Sequence, residues 1–365
     1  MTIDTIPGIN HWISRYHHMS NDITRNKAYL QWFLSEDLQN KTVCEVGFGM
    51  GPLSLLALQA GPKHIVAFEK QEEVYEFNRW LLKKSGLDQV ITLKNEYVSE
   101  KALRETNEFD LMYHELLTND IWGENVFGLL KAASASIPSV YKTEFNIIPL
   151  DPHCEGAGFS RSIWQRLLYA KHEEYNNLNM NLPVTDQEFA HRDKLTAHLE
   201  LFNSTTNNLT SKRTAYEIDK AHITEYLQKS TKLASIEVNT ATKTVKTKSP
   251  TTEQSFDLAQ VHDIADITVT IPKKHLYDNY LIVATGSIGH KNHLVGLHEC
   301  SCWNSGGVAA MVNFVSNNTH TKRDLLIGYK KGTLPWDYTT PKELLDTALV
   351  REGLLIPSLD IVEID

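Results

Sequence analysis

Apolar positions in the first 150 residues switch repeatedly between a helical and a strand-like spacing. In 21–34, NDITRNKAYLQWFL, an Asn-Asp start signal precedes a stripe through Ile23, Ala28, Leu30 and Phe33, the pattern of an amphipathic helix. The run KTVCEVGFGMG predicts a short strand entering a glycine-rich turn. PLSLLALQAG predicts a helix with Pro52 in its first turn and Gly61 at its end. HIVAFEK predicts a second buried strand, EEVYEFNRWLLKKSG a helix, QVITLKNE a third strand and EFDLMYHELL a fourth. Strands alternating with helices at this spacing predict an α/β, Rossmann-like domain with a mostly parallel sheet covered on both faces.

That pattern stops near NIIPLDP, which places the expected boundary near residue 150, between a domain over 1–149 and one over 150–365. Beyond it a polar, aromatic and helix-prone segment, 158–230, precedes runs rich in Val, Ile and Thr: KLASIEVNT, DITVTIP, NYLIVATGSIG, GGVAAMVNFV and DLLIGYKKG. Short strands joined by polar turns predict an antiparallel, barrel-like β module.

A chain of 365 residues is long enough for two such domains. Its 45 acidic against 36 basic residues, a formal charge of −9, disfavour nucleic acid or an anionic membrane as partner and suit a cationic substrate. The start, MTIDTIPGINHWISRYHHMS, has neither a basic region nor an uninterrupted apolar core, and no apolar run reaches bilayer-spanning length. With only Cys44, Cys154, Cys300 and Cys302, a disulfide framework is not expected and a cytoplasmic location is.

In open α/β sheets the ligand sits at the carboxyl ends of the strands, where a glycine turn lets it approach backbone. Gly47, Gly49 and Gly51 provide such a turn, spaced G-x-G-x-G rather than as a pyrophosphate fingerprint. Glu69 closes the second strand 18 residues after Gly51, where a carboxylate accepts the hydroxyls of a ribose. Asn95 and Glu96 end the third strand, where an adenine edge is expected. A ribose-binding acid without a pyrophosphate signature fits S-adenosylmethionine better than a dinucleotide.

With these residues in place the chain resembles the protein arginine methyltransferases, most of all their type III, monomethylating branch. The motif YHHMSNDITRNKAY sets Tyr16, Met19, Asp22, Arg25 and Tyr29 at the spacing of that family's N-terminal helix. EVGFGMGPLSLLALQAG resembles its glycine motif, FEK the next strand end and ELLTNDIWGE its double-glutamate loop. The likeness covers residues 14–126 and weakens afterwards. It implies that Arg25 pairs with the cofactor's carboxylate, that Tyr16 and Met19 pack on it, that Glu45, Leu53 and Lys70 complete its site, and that Tyr29 helps bind the acceptor. It also implies a dimerisation arm at 158–205, and so a homodimer, although the apolar side chains there can equally meet the chain's own core.

Glu115 and Glu124, nine residues apart at the end of the fourth strand, are the candidate catalytic pair. A guanidinium is a planar cation and a poor nucleophile. Two carboxylates gripping it from two sides fix its geometry and leave one nitrogen more nucleophilic. The acceptor is then arginine, free or within a peptide or protein, or another small guanidine or amine. A silent cofactor-binding scaffold is the alternative, and it has no need of two apposed acids.

The family's Thr-His-Trp loop is missing. Ser301, Cys302 and Trp303 stand nearest to it, and Trp303 is the candidate aromatic wall for a guanidinium. His290, His293, His298, Cys300 and Cys302 gather in one stretch but match no metal spacing, so no metal site is assigned.

Overall fold

The structure, a computed structural model, describes residues 6–99, 103, 109–117, 121, 126–149, 168–175, 178–206, 211–218, 230–262, 264, 267, 269–272, 279–300, 312–316 and 359–362. Two helices lead, α1 (Ile9–Asn21) and α2 (Ile23–Leu34). Asp22 separates them. Its backbone is extended and its Oδ1 accepts the Arg25 N–H at 2.9 Å, capping α2.

The first sheet follows through β1 (Thr42–Val46), α3 (Pro52–Ala57), β2 (His64–Phe68), α4 (Glu72–Ser85), β3 (Ile91–Lys94), β4 (Leu111–His114), α5 (Val126–Ala132) and β5 (Ser136–Ile137). Its order is β3-β2-β1-β4-β5 and every pairing is parallel. Val43, Cys44, Ile65, Ala67, Leu111 and Met112 are buried because helices cover both faces. The strand order reverses between β1 and β4, so a crevice opens at their carboxyl ends.

The second half contributes β6 (Val140–Pro149), β7 (Leu168–Tyr175), α6 (Arg192–Thr206), β8 (Ser211–Ile218), β9 (Thr231–Asn239), β10 (Thr244–Lys248), β11 (Glu253–Asp257), β12 (Val269–Pro272), β13 (Asn279–His290), β14 (His293–Gly296), β15 (Val312–Ser316) and β16 (Leu359–Val362). An antiparallel seven-stranded sheet runs β11-β10-β9-β6-β13-β14, with β15 also on β13. β7 and β8 form a separate antiparallel ribbon, and β12 pairs with β16.

Three expectations need correction. The change of sheet falls at Pro138 and not near 150, because β6 lies between β9 and β13 in the second sheet. Among the described residues that sheet is open rather than closed into a barrel. The helix-prone segment holds strands β7 and β8 as well as α6, since cross-strand pairing overrides the helix propensity of LYAKHEEY. The run DLLIGYKKG lies outside the described residues.

Within the expected arm, residues 178–205 find a partner surface on this chain's own first domain. Phe202 meets Phe77 of α4 edge-to-face at 6.1 Å, and the Ser85 hydroxyl lies 3.0 Å from His198 Nδ1. Gln59 bonds both Pro183 O and the Thr185 N–H.

Polar contacts join the two domains beside their shared apolar core. Lys131 of α5 donates to Val261 O at 2.7 Å and Lys243 to Ala133 O at 2.6 Å. The β13–β14 hairpin grips the end of α2: His290 Nε2 lies 2.7 Å from Glu36 Oε1, Lys291 Nζ 3.0 Å from the same oxygen, and Trp32 Nε1 donates to His293 Nδ1 at 3.2 Å. Among the described residues no helix is long and apolar enough to cross a membrane.

Candidate cofactor and acceptor cleft

A cleft of about 840 Å³ opens at the carboxyl ends of β1, β2 and β4, with α1 as its outer wall. Its floor is the glycine turn after β1. Gly51 takes φ +80° and a Cβ there would lie 2.6 Å from Phe48 Cζ, so Phe48 folds back into the core only because the side chain is absent. A Cβ on Gly49 would come within 3.3 Å of the Tyr16 ring, which shows how closely α1 lies over the turn.

Glu69 faces the cleft from the end of β2. Its Oε2 accepts the Gly49 N–H and its Oε1 the Gln71 N–H, both at 2.8 Å. The Lys70 backbone also bonds the carboxylate, which still keeps acceptor capacity for a ligand hydroxyl. Burial pushes its pKa up, and those backbone donors hold it back. Glu45 lines the cleft from β1 while almost wholly buried. The Ser54 hydroxyl donates to it, and the Tyr113 hydroxyl lies 2.8 Å from Ser54 Oγ. Burial raises the Glu45 pKa to about 8.

Arg25 and Glu115 meet in the cleft lining. Arg25 Nη1 donates to Met19 O at 2.8 Å and to Asn26 Oδ1 at 2.9 Å, and Nη2 lies 3.6 Å from Glu115 Oε2. Their side chains are only 1% and 3% exposed, so this is a buried ion pair at the edge of a ligand space, where loss of either charge strands the other.

The cleft therefore brings together Tyr16, Met19, Arg25, Glu45, Gly47, Gly49, Leu53, Glu69, Lys70, Glu96 and Glu115. Three expected contacts stand behind it instead. Gly51 shapes the turn without lining the cleft. Asn95 donates to Glu69 O at 3.0 Å, which buttresses the acid. Tyr29, expected to touch the acceptor, is 0% exposed, and its hydroxyl donates to His114 O at 2.8 Å. Glu124, Ser301, Cys302 and Trp303 lie outside the described residues. Among those that are described, no three His, Cys, Asp or Glu side chains gather as a metal site. His290 and His293 serve the domain seam, and Cys300 is buried.

Trp12 was not foreseen. It lines the cleft one turn before Tyr16, stacked on it at 6.1 Å, with the Arg15 guanidinium 5.5 Å above its ring. The i, i+4 spacing of two aromatics was the available signal.

The cleft thus offers an acid at Glu69, a guanidinium at Arg25 and approachable backbone at Gly47 and Gly49. No family model and no curated protein matches the chain. Solved structures similar to it include the crystal structure of PRMT6, 13% identical over 93% of this chain and 90% of that one, TM-score 0.46. The Trypanosoma brucei PRMT1 enzyme–prozyme complex with AdoHcy is 14% identical over 80% and 79%, TM-score 0.39. Arabidopsis thaliana protein arginine methyltransferase 10 is 13% identical over 77% and 94%, TM-score 0.33.

Proposed function

We propose that the chain is an S-adenosylmethionine-dependent methyltransferase whose acceptor is a guanidinium nitrogen, of arginine or of another small guanidine. The observation that carries this reading is the placement of Glu69 and the Arg25–Glu115 pair in the lining of one cleft. S-adenosylmethionine supplies a sulfonium methyl.

Glu69 would accept the ribose hydroxyls, and Arg25 would bind the carboxylate as a charge-assisted fork. Glu45 stands near Arg25, where its carboxyl can meet an α-ammonium. Tyr16, stacked on Trp12 above Gly49, closes the nucleoside side against water. Glu115 orients the acceptor cation, and Glu124 from the same loop is its proposed second grip. The acceptor nitrogen gains the methyl as the sulfur–carbon bond breaks, and it releases a proton to solvent.

The test is incubation with methyl-labelled S-adenosylmethionine and, separately, free arginine, an arginine-containing peptide and agmatine. Label on at least one of these supports the reading, and label on none, with the cofactor bound, returns the chain to a binding scaffold. Glu115→Gln is expected to lower kcat by about 10²-fold, the scale of losing one preorganised electrostatic group. Glu124→Gln is expected to abolish transfer while cofactor binding survives.

A further inference from the structure

His114 ends β4 immediately before Glu115, and it is fully buried outside the cleft lining. The Leu116 N–H can only donate, so Nδ1 of the neutral ring accepts it, at 3.2 Å, and Nε2 carries the proton. Pro138 O can only accept, so the Tyr141 hydroxyl, 2.8 Å away, donates to it. Tyr141 Oη then accepts from His114 Nε2, which lies 2.6 Å away. The two rings lie parallel within 4°, at 5.8 Å. Burial pushes the imidazole pKa down to about 3, in keeping with a neutral ring.

Glu115 is thus anchored on both sides. Before it, His114 O accepts the Tyr29 hydroxyl at 2.8 Å, and after it Leu116 N is tied to the His114 ring. Leu116 also packs over the glycine turn, since a Cβ on Gly47 would touch its Cδ2 at 3.2 Å. Tyr141 lies in β6 of the second sheet and Pro138 just before it, so these bonds link the start of that sheet to the acid loop.

We propose that His114 is a positioning residue: its neutral, Nε2-protonated ring, held by Tyr141, pins the turn that aims Glu115 into the cleft. The inference rests on the function proposed above for its effect on turnover, and on hydrogen bonding alone for the pin itself.

The test compares His114→Phe, which keeps the ring volume, with His114→Asn, whose Oδ1 can take the place of Nδ1. The Phe variant is expected to lose about 10²-fold in kcat, the effect of a misplacement near 1 Å, with cofactor Kd unchanged. The Asn variant should recover most of that loss. Long-range nitrogen–proton correlations should show a neutral, Nε2-protonated ring in the wild type. Hydrogen exchange at the Leu116 amide should be slow in the wild type and the Asn variant and fast in the Phe variant.

An Nδ1-protonated or cationic ring, a Phe variant as active as wild type, an Asn variant as impaired as Phe, or turnover that falls only in step with cofactor binding would each overturn the proposal. A wild-type protein that methylates no guanidine removes the proposed function alone, because the ring tautomer and the Leu116 amide still report the pin.

Discussion

Gly51 and Gly8 share φ +80° but not their surroundings. Alanine at Gly8 meets nothing within 4 Å, so only left-handed strain is added, about 1–2 kcal/mol. Alanine at Gly51 adds the clash with Phe48, and the expected loss is greater by about 1–3 kcal/mol, the usual cost of overpacking. Chemical denaturation of the two variants checks the order.

Glu45 gives a pH-dependent case. Its pKa rises from 4.5 unfolded to about 8 folded, so the native state keeps a proton that the unfolded chain has released. Its contribution is fully present below 4.5 and is lost as pH rises through about 8. Glu45→Gln should therefore gain stability relative to wild type across that window, and urea midpoints over a pH series measure it. At this scale the sequence pointed to Glu69 and the glycine turn, because a strand end and a turn each leave a local pattern, whereas Arg25 was singled out only by the family resemblance. It did not reveal His114 or Trp12. A single imidazole beside an acid has no periodicity, and its tautomer depends on Tyr141, 27 residues away.

Among the elements, the parallel strands were readable because burial on both faces leaves continuous apolar runs such as Ile65–Phe68 and Leu111–Tyr113. β6 reads equally as a fifth strand of that sheet or the first of the next, and only its pairing with β9 and β13 decides. α6 is amphipathic in sequence, but nothing local says which surface it covers. Its contact with α4 centres on Phe202, which is 3% exposed. Phe202→Ala is expected to cost about 3–5 kcal/mol, as for a large aromatic removed from a core. The same change placed on a free arm would cost little, so the thermal midpoint separates the two arrangements.

For the molecule as a whole, the grip of the β13–β14 hairpin on α2 is the part most sensitive to acid. Burial is the largest influence on His290 and lowers its pKa from 6.5, so its stabilising share is present above 6.5 and is lost as pH falls below it. Glu36, despite a burial effect that works upward, is held below 4.5 by His290 and Lys291, and its share is lost as pH falls through that region. Acidification below 6.5 should loosen the hairpin before either sheet unfolds, read as faster hydrogen exchange at residues 288–295. Glu36→Gln should abolish the lower part of that response. None of this seam was legible in the sequence, where His290 and His293 stood beside cysteines and suggested only a metal to be dismissed.

The path of the chain from Leu178 to Thr206 also bears on any attempt to dissect the protein. Although it is encoded within the second half, this stretch covers the outer face of α4 in the first, so the two halves are stitched rather than strung. A fragment ending at Ile137 would keep all five parallel strands yet leave Phe77 and Ser85 uncovered. Adding 178–206 as a separate peptide should restore its solubility by complementation.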